Sequence, residues 1–260
     1  MTIPWLDPDS ALPDASQALP GGLLAAGLDL SPRRLREAYG KGAFPWYSPG
    51  EPVLWWSPDP RMVLQCNDFH ISRSLAKRMR QFRHSVTLNQ AFPQVIAHCA
   101  RRGTPRLPVG AARTGQAWQA PGPAEGRDAT WITPDIAAAY TAWHRQGRVH
   151  SVETWIDGRL AGGLYGVSLG QCFFGESMFS LAADTSKVAL AFLVRYLQAH
   201  GVPWIDCQQE TPHLASLGAR PIPRARFLAL LAAGRDAPAP PWGAGRLGLD
   251  GQCQAIDPPV

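Results

Sequence analysis

Phe173-Phe174-Gly175-Glu176-Ser177-Met178-Phe179-Ser180 sets one carboxylate inside an apolar, aromatic run, and Trp204-Ile205-Asp206-Cys207-Gln208 follows it across a long apolar segment. That segment, 188–199, has hardly any polar face, so it reads as a buried helix. A strand over 171–174, the helix and a strand over 204–207 predict a mixed α/β domain. Buried and ionised, Glu176 would be costly without hydrogen-bond partners, so it is either a satisfied structural carboxylate or a group aimed into a pocket. Alternation along a strand puts Asp206 and Gln208 on one face. Two acids and an amide at strand exits point to a site.

Working outward, Thr133-Pro134-Asp135 starts a helix with Ile136, Tyr140 and Trp143 as its buried stripe, ending at Gly147. Residues 149–169 read as a hairpin turning at Asp157-Gly158. Upstream, Val86-Thr87-Leu88 and Met62-Val63-Leu64 are strand candidates. Ser72 or Ser74 opens a basic helix near Lys77, Arg78, Arg80 and Arg83. Residues 103–129, rich in Pro, Gly, Ala and Arg without an apolar period, read as a mobile insertion. Ser31-Pro32 opens a helix with Leu35, Ala38 and Tyr39 on its apolar face and Arg33, Arg34 and Arg36 on its solvated one. The prolines and aromatics of 43–61 predict a stiff loop, residues 1–20 a surface drape, and the tail after Gly234 irregular chain. Two unequal domains are expected, a small one over 1–62 and a larger one over 63–260.

A chain of 260 residues can bury a sizeable core. No run approaches the roughly 18 apolar residues of a membrane span, and the N-terminus lacks the order of a signal peptide, which predicts a cytoplasmic protein without a membrane partner. Five scattered cysteines without a C-x-x-C pair predict reduced thiols, and the seven histidines form no ligand cluster, so no metal is expected. A formal net charge of +5 favours a polyanionic partner, and ten tryptophans offer flat faces for stacking on bases.

Six motifs, in order, carry a resemblance: 42–50 (Gly-Ala-Phe-Pro-Trp-Tyr-Ser-Pro-Gly), 54–61 (Leu-Trp-Trp-Ser-Pro-Asp-Pro-Arg), 70–74 (His-Ile-Ser-Arg-Ser), 130–133 (Thr-Trp-Ile-Thr), 174–180 (Phe-Gly-Glu-Ser-Met-Phe-Ser) and 205–208 (Ile-Asp-Cys-Gln). From about Gly22 to Phe227 the chain resembles the leucyl/phenylalanyl-tRNA–protein transferases. The resemblance implies an acetyltransferase-like (GNAT-like) second domain in an α/β (α+β) chain. It implies transfer of Leu or Phe, and less well Met, from charged tRNA to the N-terminal amine of proteins beginning with Arg or Lys, which marks them for degradation. No cofactor is implied, and a monomer is expected.

By the same resemblance Trp46 and Trp131, with Tyr39, bind the terminal adenosine. Leu164, Phe173, Met178, Leu190, Leu193, Leu197 and Ile205 form the amino-acid pocket. Leu190, Leu193 and Leu197 also share one helix face by spacing, whereas alternation points Ile205 away from Asp206. Asp206, Gln208 and Glu176 are the implied catalytic group. By the resemblance Asp206 orients Gln208, one or both accept the proton of the attacking amine, and Glu176 helps hold the substrate; because an amide is a poor proton acceptor, Asp206 is preferred as the acid or base and Gln208 as the positioning group. Two other classes compete. An acyl-coenzyme A acetyltransferase would cradle pyrophosphate on a glycine-rich turn, to which 159–164 (Arg-Leu-Ala-Gly-Gly-Leu) is the nearest approach. A basic RNA-binding module would explain charge and tryptophans but leave Glu176 and Asp206 idle.

Overall fold

The computed structural model of the chain describes residues 3–81, 84–101 and 131–256. The expected insertion at 103–129, Arg83 and Thr130 lie outside the described residues. The first part of the chain forms β1 (Trp5–Leu6), β2 (Leu23–Gly27), α1 (Pro32–Gly40), β3 (Phe44–Pro45) and β4 (Val53–Trp56), with its four strands in the order β1-β2-β4-β3. The stiff-loop reading of 43–61 is therefore corrected. Val53 and Trp55 alternate inward on β4, and Pro45 sits on edge strand β3, where a missing N–H breaks no ladder. The drape over 1–20 is corrected too, because β1 pairs in parallel with β2. The carbonyls of Asp7, Pro8 and Ser10 accept from Arg34, which is buried against Glu37 and not solvated.

The larger sheet is built from β5 (Arg61–Gln65), β6 (His84–Leu88), β7 (Val149–Ile156), β8 (Arg159–Leu169), β9 (Cys172–Ser180), β10 (Trp204–Gln208), β11 (Arg220–Ile222), β12 (Gly245–Leu247) and β13 (Cys253–Gln254). Its order is β11-β5-β10-β9-β8-β7-β6-β12-β13. The helices are α2 (Arg73–Met79), α3 (Phe92–Cys99), α4 (Pro134–Arg145), α5 (Thr185–Ala199), α6 (Pro212–Ser216) and α7 (Arg224–Gly234). Strands β12 and β13 extend the sheet beyond β6, which corrects the expectation of an irregular tail.

Three helices begin on the side chains that their sequences offer as caps. Ser31, Ser72 and Thr133 each accept a backbone N–H of the first turn at 3.2 Å. Helix α5 starts differently, since Asp184 before it lies at φ 65° and makes no capping bond. Its first residue is pinned to β8 instead. Thr185 Oγ1 donates to the Ala161 carbonyl at 2.7 Å, over Gly162, where a Cβ would come within 2.3 Å of that oxygen.

Both faces of the large sheet are covered, so neighbours along a strand enter different cores. Leu164, Phe173 and Ile205 join α5 in one apolar cluster. Tyr165, Phe174 and Trp204 join α1, α3, α4 and the small sheet in the other. The small sheet is thereby tied to one face of the large one, and α5 lies on the opposite face.

Candidate active site

Strands β9 and β10 run parallel, joined through α5, and their pairing comprises Ile205 with Phe173 and Asp206 with Phe174. Each strand bulges on its other edge at the point where this pairing stops. Along β8, Tyr165 and Gly166 face Ser177 and Gly175, which makes Glu176 the extra residue of β9. Along β5, Val63 and Met62 face Asp206 and Gln208, which makes Cys207 the extra residue of β10. Bulges bend a strand and re-aim its side chains, and Gln208 takes a left-handed φ of 56° to do so. Glu176, Cys207 and Gln208 thus meet in the gap between the two strands.

Two cavities share that gap. One, of about 270 Å³, is lined by Leu64, Leu164, Phe173, Met178, Leu190, Leu193 and Ile205, with Tyr165, His213 and other residues at its sides. The other, of about 240 Å³, is bounded by Phe44, Pro45, Trp46 and Trp131. Glu176, Cys207, Gln208, Thr211 and Leu214 line both.

Glu176 is held by tyrosines from two helices. Tyr39 of α1 donates to Oε1 at 2.7 Å, and the Tyr39 and Tyr140 hydroxyls lie 2.5 Å apart. Tyr140 of α4 has one proton to share between that oxygen and Glu176 Oε2 at 3.4 Å. Gln208 Nε2 donates to Oε1 at 3.4 Å. Burial pushes the Glu176 carboxyl up to about 8, against the opposing bond from Tyr39 and with help from the negative Asp206 nearby. Burial, and then the Glu176 charge, raise both tyrosines well above their ordinary range, so they stay donors. At neutral pH Glu176 is mainly a neutral acid that can give a proton, and its smaller ionised fraction can take one.

Asp206 is enclosed by its partners. Its carboxylate receives Arg61 Nε at 2.8 Å and Nη2 at 2.6 Å, both side chains are fully buried, and Oδ1 also accepts the Gln208 backbone N–H at 3.0 Å. Arg61 is boxed in turn by the Gly42 carbonyl at 3.1 Å and by the rings of Phe44 and Phe227. Asp206 lines neither cavity; from this position its carboxylate holds the backbone of Gln208 at the β10 bulge. The bulge also breaks the alternation that put Asp206 and Gln208 on one face. Ile205 points away from Asp206, and the apolar cavity lies on that side.

Of the expected pocket residues, Leu197 is fully buried one turn along α5 and does not line the cavity. Trp46 is 38% exposed and Trp131 partly buried, and both bound the second cavity. Tyr39 is enclosed, with Phe174 at 5.0 Å and Trp143 at 5.5 Å between ring centroids. It has no free face for a base and contributes its hydroxyl instead. Sequence reasoning missed Tyr140, taken for core, and Arg61, the last residue of a quoted motif. Their partners lie 36 and 145 residues away, and no local pattern announces such pairs. All five cysteines are free.

The family pattern described as leucyl/phenylalanyl-tRNA protein transferase matches residues 63–107 and 117–232, and that of its N-terminal domain matches 28–59. Among curated relatives, a leucyl/phenylalanyl-tRNA–protein transferase of Bordetella avium is 55% identical over 95% of this chain and 95% of its own. Those of Bordetella petrii (53% identical; 96% and 95%) and Chromobacterium violaceum (52%; 88% and 90%) are similar along most of their length. These matches place the chain among the aminoacyltransferases, a class for which two cavities meeting at one proton-carrying group are suited. It belongs to the leucyl/phenylalanyl-tRNA–protein transferase family.

Proposed function

We propose that the two cavities receive the two parts of one charged tRNA end. The side chain of Leu or Phe, and less well Met, enters the apolar cavity, while the terminal adenosine lies between Trp46 and Trp131. The single observation that supports this reading is the shared wall of Glu176, Cys207, Gln208, Thr211 and Leu214, a junction at which the aminoacyl ester would lie. Stacking on tryptophan is worth about 1–3 kcal/mol per base. The acceptor is a protein whose N-terminal residue is Arg or Lys, and the product is marked for degradation in the cytoplasm by an enzyme acting as a monomer. The fold is proposed to be acetyltransferase-like, because parallel strands that part around the site, joined by a buried helix, suit a substrate laid across the gap.

In this reading the acceptor amine attacks the ester carbonyl carbon. The new bond is C–N, the broken one is C–O to the terminal ribose, and the amine proton must leave. A free α-amine has a pKa near 7.7–8.0, so roughly a tenth is already neutral at pH 7. The main contribution is therefore holding amine and ester in line. Gln208 positions the reactants, and the ionised fraction of Glu176, with a carboxyl near 8, can take the proton from the amine and return one to the ribose oxygen as it leaves.

The test is transfer from tRNAs charged with leucine, phenylalanine, methionine, isoleucine and valine to a peptide beginning with Arg. Leucine and phenylalanine should lead, methionine follow, and the Cβ-branched pair trail, because their stiff χ1 collides at the entrance. Discrimination in an apolar slot is limited to about 1–3 kcal/mol per methylene, so a preference is expected and not exclusion. Met178→Ala and Leu193→Phe should change the ranking. Equal transfer of isoleucine and leucine would sink the pocket assignment.

A further inference from the structure

We propose that Trp242, in the C-terminal segment, is a positioning residue that sets the depth of the apolar cavity and so the choice between leucine-sized and phenylalanine-sized side chains. The proposal rests on the reading of that cavity as the amino-acid pocket. Trp242 lies beyond residue 232, where the match to the family pattern ends.

Phe173 is a wall of the cavity and is 1% exposed. Its ring lies close over Gly166, where a Cβ would come within 2.5 Å of Phe173 Cε1. Trp242 packs against the same ring, with centroids 5.4 Å apart and planes inclined by 32°. Because Gly166 already stands at contact distance, Trp242 marks the side toward which the ring could retreat from the cavity.

Trp242 is itself fixed by several groups. Its Nε1–H donates to Ser168 Oγ at 2.8 Å, and its carbonyl accepts from Asn89 Nδ2 at 3.2 Å. The indole stacks on His150 at 4.2 Å and 6° and packs against Tyr196 at 5.1 Å. The Tyr196 hydroxyl donates to the carbonyl of Pro241, one residue earlier. Burial lowers the His150 imidazole to about 3, so the stacking partner is a neutral ring. Asn89 Nδ2 lies 3.1 Å from His150 Nδ1 and binds that ring as well as the Trp242 carbonyl. A side chain held from several elements transmits its size to the ring it supports.

The experiment compares kcat/KM for phenylalanine over leucine, each from charged tRNA, in wild type, Trp242→Ala, Trp242→Phe and Ser168→Ala, with Met178→Ala and Leu193→Phe alongside. Thermal unfolding reports which variants fold. Removing the indole lets the Phe173 ring draw back, so the ratio should rise about tenfold in Trp242→Ala, the low end of what one methylene decides in an apolar pocket. Trp242→Phe, which keeps a ring there, should restore it to within about twofold of wild type. A folded Trp242→Ala whose ratio stays level or falls, while Met178→Ala and Leu193→Phe change the ranking, overturns the role of Trp242 alone. Unchanged ranking in all of them overturns the pocket reading as well. If Trp242→Ala does not fold, Ser168→Ala decides. A rise of about threefold or more, from an indole freed of its hydrogen bond, sustains the proposal, and an unmoved ratio ends it.

Discussion

Glu176 holds its proton because the chain encloses it, and that has a consequence for stability. The folded carboxyl titrates near 8, against an ordinary value of 4.5. Between those two values the unfolded chain gives up the proton and the folded protein keeps it. The contribution to stability is therefore fully present below about pH 4.5 and is lost as pH rises through 8. Glutamine cannot ionise, and its Oε1 can still accept from Tyr39. Denaturant midpoints of wild type and Glu176→Gln, measured from about pH 5 to about pH 9, should therefore diverge, with wild type losing ground as pH rises. Parallel profiles would show that Glu176 is not held protonated. The acid itself was legible in the sequence, as a lone carboxylate in an aromatic run. Its partners were not, since Tyr39 comes from a helix 137 residues away and reads locally as one more core aromatic.

At the level of elements, local chemistry was legible wherever the cause is local. Ser31, Ser72 and Thr133 cap the helices that they were expected to open. The Asp157-Gly158 turn takes the two positive φ values, 50° and 74°, that such a hairpin needs. What alternation could not supply was the pair of bulges, because a bulge depends on the register of a neighbouring strand. Gln208 makes this testable. Its left-handed backbone suits glycine and opposes a β-branched residue. Gln208→Gly should keep or raise stability, by up to about 1 kcal/mol, while lowering transfer through loss of the amide. Gln208→Val should lose both. The check is a thermal midpoint beside a transfer rate for each variant; two variants of equal stability would mean that the bulge is not held in that conformation.

For the whole molecule the open question is where a polyanion would lie. The formal charge of +5 is too small to locate anything by itself, but the fold concentrates some of it. Arg73, Lys77 and Arg80 are exposed on α2 or at its end, and Arg78 of the same helix reaches Asp184 at the start of α5, which Lys187 also binds. Lys187 in turn helps burial to lower the pKa of His213, a wall residue of the apolar cavity. The basic end of α2 is thereby tied to the start of α5, the helix whose Leu190 and Leu193 line the apolar cavity. A charged tRNA whose terminal adenosine sits between Trp46 and Trp131 would bring backbone phosphates within its reach. Each phosphate neutralised releases a counterion, so the logarithm of affinity should fall linearly with the logarithm of salt. Lys77→Ala and Arg80→Ala should each lower the slope by about 0.7–0.9 if each meets one phosphate, and weaken binding most at low salt. Neither residue belongs to either cavity wall, so the preference among amino acids should stay as it is while affinity drops. Binding titrations of charged tRNA across a salt series decide this: slopes equal to wild type in both variants would move the RNA path off α2, and affinity flat in salt for wild type would remove the electrostatic contribution altogether.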